Sequence, residues 1–193
     1  MSTLVAVRKN NKICIAGDSL TTFGDTRLSS GYDAASDKIH PYADNFVGVV
    51  GSAAHALVLQ SVFDDKAAHK HDLSSRQAIF ETFRALHPKL KEEYFLNPKE
   101  DEEDAYESSR MDVLIVNASG IFGVYSLREV FEYSRFWALG SGAEFALGAM
   151  FALYDRSDDA EEIARAGVEA GAEFNSASSL PMTLYRIDLN SGA

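Results

Sequence analysis

The sequence contains very little cysteine, and it has neither a long apolar run nor a secretion leader. Its single cysteine, Cys14, excludes an internal disulfide, and the apolar neighbours favour a small buried side chain over a reactive thiol. A membrane-spanning helix needs about 20 consecutive apolar residues, and a leader needs a basic segment followed by an apolar one. The sequence has neither pattern, so we expect a cytoplasmic protein.

Positive charge is also scarce. The 193 residues include 18 lysines and arginines against 29 aspartates and glutamates, which gives a formal net charge of −11. Nucleic acids and anionic membranes are poor partners for such a chain, whereas cationic or unfolded polypeptide segments suit it better. The length and a hydrophobic content of 46% fit one domain, which we place at residues 1–193.

The first residues of the chain combine a strand pattern with reactive groups. From Thr3 onward the side chains predict a buried strand that begins almost at the terminus, where most chains fray. Removal of Met1 would leave the hydroxyl and the free α-amine of Ser2 on one residue. An α-amine has a pKa of roughly 7.7 to 8, so it can accept the hydroxyl proton near neutral pH. Met-Ser is also a common start of a chain, and these residues alone do not decide between the two interpretations.

Short apolar and alternating segments predict an antiparallel strand pattern along most of the chain. Asn10-Asn11 suits a hairpin turn between the first two strands. The predicted strands are Leu4–Arg8, Lys12–Ala16, a short strand near Thr26–Ser29, an extended piece at Lys38-Ile39, Asn45–Gly51, Met111–Asn117, Ile121–Ser126, Phe136–Leu139 and Met182–Asp188.

Four segments have helical spacing of apolar residues. They are Ser52 to about His69, a helix that starts at Ser74, Glu144–Tyr154, and a helix from Asp158 to Ala172. Ser74 with Gln77, and Asp158 with Glu161, are predicted capping pairs. We expect Pro88 to kink the second helix. The acidic segment 97–110 has no apolar periodicity and is predicted to be a solvated loop, with a role in substrate contact left open.

Four short motifs occur in the order and approximate spacing of proteasome β-type subunits. They are Ser2–Val7, Ala16–Asp18, Val50–Ala54 and Leu139–Gly142. Over nearly its whole length the chain resembles the bacterial peptidase HslV. Its longer acidic segment makes it more similar to the bacterial proteasome homologue BPH.

This resemblance implies an α+β fold, a four-layer αββα sandwich of the N-terminal-nucleophile hydrolase type. It also implies hydrolysis of peptide bonds in unfolded polypeptides inside a homo-oligomer of two stacked rings, with 12 or 14 subunits. An ATP-dependent unfoldase is a possible partner. No cofactor or metal is implied, although family members can bind a cation through backbone carbonyls near residues 171–177.

The resemblance also assigns roles residue by residue. Ser2 matches the N-terminal threonine nucleophile, Asp18 the aspartate after the second strand, and Lys38 the lysine beside the nucleophile if the preceding loop is a few residues longer. Ser141 matches the serine of the glycine-serine-glycine turn, and Gly51 matches the glycine whose N–H meets the substrate oxyanion. In addition, Thr22 matches a threonine that binds the substrate backbone.

These residue types make chemical sense together. The Ser2 amine must be neutral to act as a base, and a nearby Lys38 ammonium would lower the pKa of that amine. Asp18 would keep Lys38 charged and oriented. Two alternatives remain open: a non-catalytic ring scaffold that retains Met1, and a small-molecule amidase on the same fold.

Overall fold

A computed structural model describes residues 2–64, 71–98, 102–103, 107, 111–126 and 129–189. Met1, the end of the first predicted helix and most of the acidic segment 97–110 lie outside the described residues. Eleven strands are described: β1 Leu4–Lys9, β2 Lys12–Asp18, β3 Thr21–Phe23, β4 Thr26–Leu28, β5 Ile39–Tyr42, β6 Asn45–Val50, β7 Asp112–Asn117, β8 Gly120–Val124, β9 Val130–Tyr133, β10 Phe136–Leu139 and β11 Met182–Asp188.

The strands form two antiparallel sheets and a separate hairpin. One sheet has the order β10-β1-β2-β11, the other has the order β5-β6-β7-β8-β9, and β3 pairs with β4. Asn10 and Asn11 join β1 to β2 with φ angles of 48° and 63°, the left-handed values that a tight hairpin turn requires. The predicted hairpin is therefore confirmed, while the short strands β3 and β9 were not predicted from the sequence.

Four helices follow the strands in pairs: α1 Ala53–Phe63, α2 Arg76–Glu92, α3 Ala143–Tyr154 and α4 Ala160–Phe174. Pro88 lies inside α2, which continues to Glu92. Across the described part of the chain, no helix has both the length and the apolarity to span a bilayer.

Both predicted capping pairs are wrong by one residue. Ser75 caps α2, because its side chain accepts the N–H of Ala78, and Asp159 caps α4, because it accepts the N–H of Glu161. In each case a side-chain hydrogen bond just before the cap holds the backbone in a turn, so the helix begins one residue later than predicted. The carboxylate of Asp72 accepts the N–H of Ser74 in the first case, and a serine hydroxyl accepts the N–H of Asp159 in the second.

Three apolar cores lie between four layers, and alternation along β1 shows how they arise. Leu4 and Ala6 face the five-stranded sheet, where they pack in a core with Leu114. Val5 and Val7 point to the opposite side, toward α3 and α4. A third core joins α1 and α2 to the outer face of the five-stranded sheet. This arrangement is the αββα sandwich expected from the sequence. Cys14 is 1% exposed in the core under α3 and α4, as predicted.

Candidate active site

Ser2 lies at the start of β1, where a glycine-rich turn covers its backbone. The residue is 5% exposed, and its carbonyl accepts the N–H of Gly142 at 3.2 Å. A Cβ at Gly140 would lie 2.1 Å from that carbonyl oxygen, and the φ of Gly140 is +94°. Only glycine fits such a close approach of two backbones. The turn after β10 therefore fixes the backbone of Ser2.

Asp18 ends β2 directly beside this position and is fully buried. Its Oδ1 accepts the backbone N–H of Thr3 at 2.9 Å, and its Oδ2 accepts the N–H groups of Leu20 and Ser179, each at 3.1 Å. A buried carboxylate needs such donors to offset the loss of its hydration. Asp18 thus joins β2, the start of β1 and the segment before β11 at one point.

Lys38 supplies the cation that pairs with Asp18. Its Nζ lies 2.7 Å from Asp18 Oδ1 and donates a second bond of 2.7 Å to the carbonyl of Leu20. The side chain is 12% exposed, and this burial lowers the pKa of Lys38, while the carboxylate of Asp18 acts in the opposite direction. The lysine is therefore held rigidly at the base of a cleft rather than extended into solvent.

The cleft has a volume of about 480 Å³ and brings several of the predicted site residues together. Ser2, Thr22, Lys38 and Gly51 all line it, and Asp18 lies behind Lys38. Gly51 follows β6 and precedes Ser52, the N-cap of α1, and its φ is +109°. Its N–H therefore lies near a helix N-terminus, where developing negative charge is favoured.

Ser141 is not among the described residues that line this cleft. It belongs to the turn that contacts Ser2, but it is exposed, and its hydroxyl donates to Asn175 Oδ1 at 3.0 Å. The side-chain amide of Asn175 donates a hydrogen bond of 2.9 Å to the Ser141 carbonyl. The hydroxyl bond of Ser141 therefore ties the turn to the end of α4, whereas Gly140 and Gly142 of the same turn contact the backbone of Ser2.

Sequence analysis missed a group of residues that support the site. Thr3 Oγ1 lies 2.7 Å from Ser178 Oγ in a buried contact, and Gly142 and Gly171 leave the space that the Thr3 side chain fills. Ser178 follows α4 by four residues, in a segment rich in serine and asparagine. That local composition was the available signal, but it does not tell which distant residue such hydroxyl groups will contact.

A side-chain metal centre has no candidate in the described ranges. No group of three or more histidine, cysteine, aspartate or glutamate side chains there could hold a metal ion. The described side chains that line the cleft include hydroxyl, carboxylate, ammonium and imidazole groups.

Comparisons with known proteins agree with this fold. Residues 1–185 match the model of the family described as proteasome subunit. Two structures of BPH from Thiobacillus denitrificans are similar, each with a TM-score of 0.90. One, in complex with epoxomicin, is 42% identical and covers 98% of this chain and 100% of that one. The other is 44% identical and covers 97% and 98%. The ATP-dependent protease subunit HslV of Caldanaerobacter subterraneus subsp. tengcongensis is 28% identical, covering 89% of this chain and 90% of the relative.

Proposed function

The chain belongs to the proteasome subunit family and is a peptidase of the N-terminal-nucleophile type, and we propose that Ser2 is its nucleophile after removal of Met1. The observation that carries this proposal is the buried pair of Lys38 and Asp18 at the base of the cleft that Ser2 lines. A structural ion pair can lie anywhere, but Lys38 of this pair lines the same cleft as Ser2, the residue that would offer a hydroxyl and an amine once Met1 is removed.

Catalysis begins with the α-amine of Ser2 as the general base. The amine takes the hydroxyl proton directly or through one water, and the oxygen attacks the carbonyl carbon of the substrate peptide. The Lys38 ammonium disfavours a second positive charge nearby, so it lowers the pKa of the amine and keeps it neutral at physiological pH. Asp18 holds that ammonium in place through its bond of 2.7 Å.

Backbone groups of the cleft complete the reaction. The N–H of Gly51 stabilises the tetrahedral oxyanion, and Thr22 binds the backbone of the extended substrate. The amine then returns its proton to the leaving nitrogen, which leaves an ester on Ser2. Water hydrolyses this ester in the second half of the reaction. Serine keeps the hydroxyl of the threonine expected at this position and lacks only its methyl group.

We further propose that the substrates are unfolded polypeptides and that the protein works in the cytoplasm as two stacked homo-oligomeric rings. Relatives named as subunits of an ATP-dependent protease support both the assembly and an ATP-driven unfoldase as partner. Exposed aromatic side chains on α3, among them Phe151 at 77%, fit a helix that meets another subunit.

Intact mass combined with covalent labelling tests the proposal. The protein is incubated with epoxomicin, an epoxyketone whose ring-forming reaction needs both the hydroxyl and the amine of one residue. We expect a chain without Met1 that gains one adduct on Ser2 and cleaves casein, and we expect Ser2→Ala to show neither. Ser176→Ala, at an exposed serine, is the matched control and should behave as wild type.

Two results would contradict the proposal. Retention of Met1 in a fully folded and assembled protein would favour the non-catalytic scaffold. Turnover of a simple amide without cleavage of casein would favour the amidase.

A further inference from the structure

We propose that Asp37 is a positioning residue that sets the location of Lys38 relative to Ser2, an inference that rests on the proposed function. Asp37 directly precedes Lys38 and lines the same cleft. It was not among the site residues predicted from the sequence, and it contacts no reacting atom. Its role follows from what its carboxylate holds.

The carboxylate of Asp37 accepts three hydrogen bonds. Its Oδ1 accepts the backbone N–H of Ile39 at 2.9 Å and the hydroxyl of Thr183 at 2.7 Å. Its Oδ2 accepts the hydroxyl of Tyr185 at 2.5 Å. The first bond closes a turn around Lys38, because donor and acceptor lie on the two residues that flank it. The other two bonds come from β11.

These bonds join the edges of the two sheets. Ile39 begins β5, one edge strand of the five-stranded sheet, whereas Thr183 and Tyr185 lie on β11, one edge strand of the other sheet. Lys38 crosses the same gap, because its carbonyl accepts the N–H of Val49 on β6 while its Nζ reaches Asp18 on β2. Asp37 therefore fixes the spacing across which Lys38 must reach.

The phenol ring of Tyr185 is itself immobilised, which makes it a firm anchor. It stacks on Phe46 with ring centroids 4.5 Å apart. The hydrogen bond to Asp37, together with burial, raises the pKa of Tyr185 to about 12, so the phenol remains a donor throughout the working pH range.

Two possible effects of Asp37 on the Ser2 amine have opposite signs. A carboxylate acting only through its charge raises the pKa of a nearby amine, so its loss would lower that pKa. A carboxylate that positions the Lys38 ammonium lowers the pKa of the amine indirectly, so loss of the anchor would raise it. The direction in which the pH profile moves therefore distinguishes positioning from bare charge.

The experiment measures kcat and KM against pH for cleavage of a fluorogenic peptide by the assembled protein. The main variant is the double change Thr183→Val with Tyr185→Phe, which removes both cross-sheet bonds and keeps the charge of Asp37. Asp37→Asn is the second variant. The single changes Thr183→Val and Tyr185→Phe serve if either of these fails to fold.

The charged and titratable side chains of the cleft are Asp33, Asp37, Lys38 and His40, with Asp18 behind them. Among the described residues of the cleft, only His40 has an ordinary pKa close to that of the amine, and burial lowers the pKa of His40. All profiles are therefore also recorded in a His40→Gln background, so that its titration is not mistaken for that of the amine.

We expect the double variant to lose roughly tenfold in kcat with KM changed less than about twofold, because misplaced groups mainly raise the barrier. The acidic limb of the pH profile of kcat/KM should move to higher pH by about 0.5 unit or more, because the amine loses its cationic neighbour. Asp37→Asn should also move the limb up.

Matched controls are Thr82→Val and Tyr154→Phe, which remove hydroxyl bonds to the carbonyls of Asp72 and Arg8, away from the cleft. They should lower the melting temperature without moving the limb. If the acidic limb of the kcat/KM profile is unchanged or moves to lower pH in the double variant and in Asp37→Asn, the proposed role of Asp37 is wrong. The comparison of wild type with Ser2→Ala tests the proposed function separately. If wild-type protein leaves Ser2 unlabelled by epoxomicin, both proposals fall.

Discussion

The Oδ1 atom of Asp18 accepts the backbone N–H of Thr3 at 2.9 Å and the Nζ of Lys38 at 2.7 Å. One carboxylate oxygen therefore fixes both the residue that follows Ser2 and the cation proposed to tune the Ser2 amine. Asp18 is therefore one of the groups that fix the position of Lys38 relative to the start of β1.

Asp18→Asn should accordingly destabilise the protein as well as inactivate it. The amide can accept at one atom only, and its NH₂ group would face the N–H donors of Leu20 and Ser179, which now bond to Oδ2. Removing one partner of a buried ion pair typically costs about 3 to 5 kcal/mol. We expect a loss near the lower value in urea denaturation, and loss of peptide cleavage.

The exposed pair of Glu81 and Arg84 on α2 supplies the comparison for that measurement. Glu81→Gln should change the free energy of unfolding by less than about 1 kcal/mol, since exposed ion pairs contribute little. If both substitutions destabilise the protein equally, Asp18 does not have the structural role described here.

Gly51→Ala should lower kcat strongly with a smaller effect on stability. At a φ of +109° a side chain is strained, although the added Cβ would approach His55 Nδ1 no closer than 3.6 Å. Relief of that strain would rotate the peptide and turn the Gly51 N–H away from the position proposed for the substrate oxyanion. Loss of one such donor typically lowers kcat by about 10² to 10³, so single-turnover kinetics will show the effect.

Gly24→Ala is the matched substitution outside the site. Gly24 has a φ of +54°, and a Cβ there would meet no atom within 4 Å. We expect a comparable or smaller loss of stability and an unchanged kcat. An equal drop of kcat in both variants would mean that strain, and not the oxyanion contact, limits Gly51→Ala.

The sequence predicted regular segments well, because period-two alternation and turn residues are local signals. Phe136–Leu139 and Met182–Asp188 coincide with β10 and β11, and Asn10-Asn11 forms the hairpin turn. The two caps were misplaced by one residue because adjacent polar side chains offer equally good caps. Which one is used depends on turns that the local pattern does not encode.

The candidate site was only partly predictable for a related reason. Motif order indicated Lys38 and Asp18, and their contact of 2.7 Å agrees with it. Asp37 and Thr183 are 146 positions apart, and neither belongs to a motif. Their contact arises because two sheet edges stack, which is a property of the tertiary fold rather than of any local segment.

Stability at alkaline pH should depend on the phenol of Tyr185. Its pKa is raised to about 12 by the hydrogen bond to Asp37, whereas an unfolded tyrosine titrates near 10. A group whose pKa is higher in the folded state stabilises the protein below the unfolded pKa, and this contribution is lost as the pH rises through the folded pKa. The difference in unfolding free energy between wild type and Tyr185→Phe should therefore shrink between about pH 10 and 12.

Urea denaturation at successive pH values measures that difference. Tyr32→Phe, at a side chain that is 87% exposed, gives the background for loss of a phenol. If the difference in unfolding free energy between wild type and Tyr185→Phe stays constant from about pH 10 to 12, the hydrogen bond between Tyr185 and Asp37 is contradicted.

Gly142→Ala tests how tightly the turn after β10 packs on the start of β1. A Cβ at this position would lie 2.0 Å from Thr3 Oγ1 and 3.2 Å from the Cα of Gly171. Thr3 cannot move away, because its hydroxyl is buried against Ser178 and its N–H is bonded to Asp18. Overpacking of this kind typically costs about 1 to 3 kcal/mol. Because the displacement would also move Ser2, peptide cleavage should fall together with the free energy of unfolding.

Gly148→Ala in α3, where a Cβ meets nothing within 4 Å, should instead stabilise the protein by about 0.5 to 1 kcal/mol, since glycine is unfavourable inside a helix. If Gly142→Ala keeps full stability and activity, the close packing of Gly142 against Thr3 is not what holds Ser2 in the cleft.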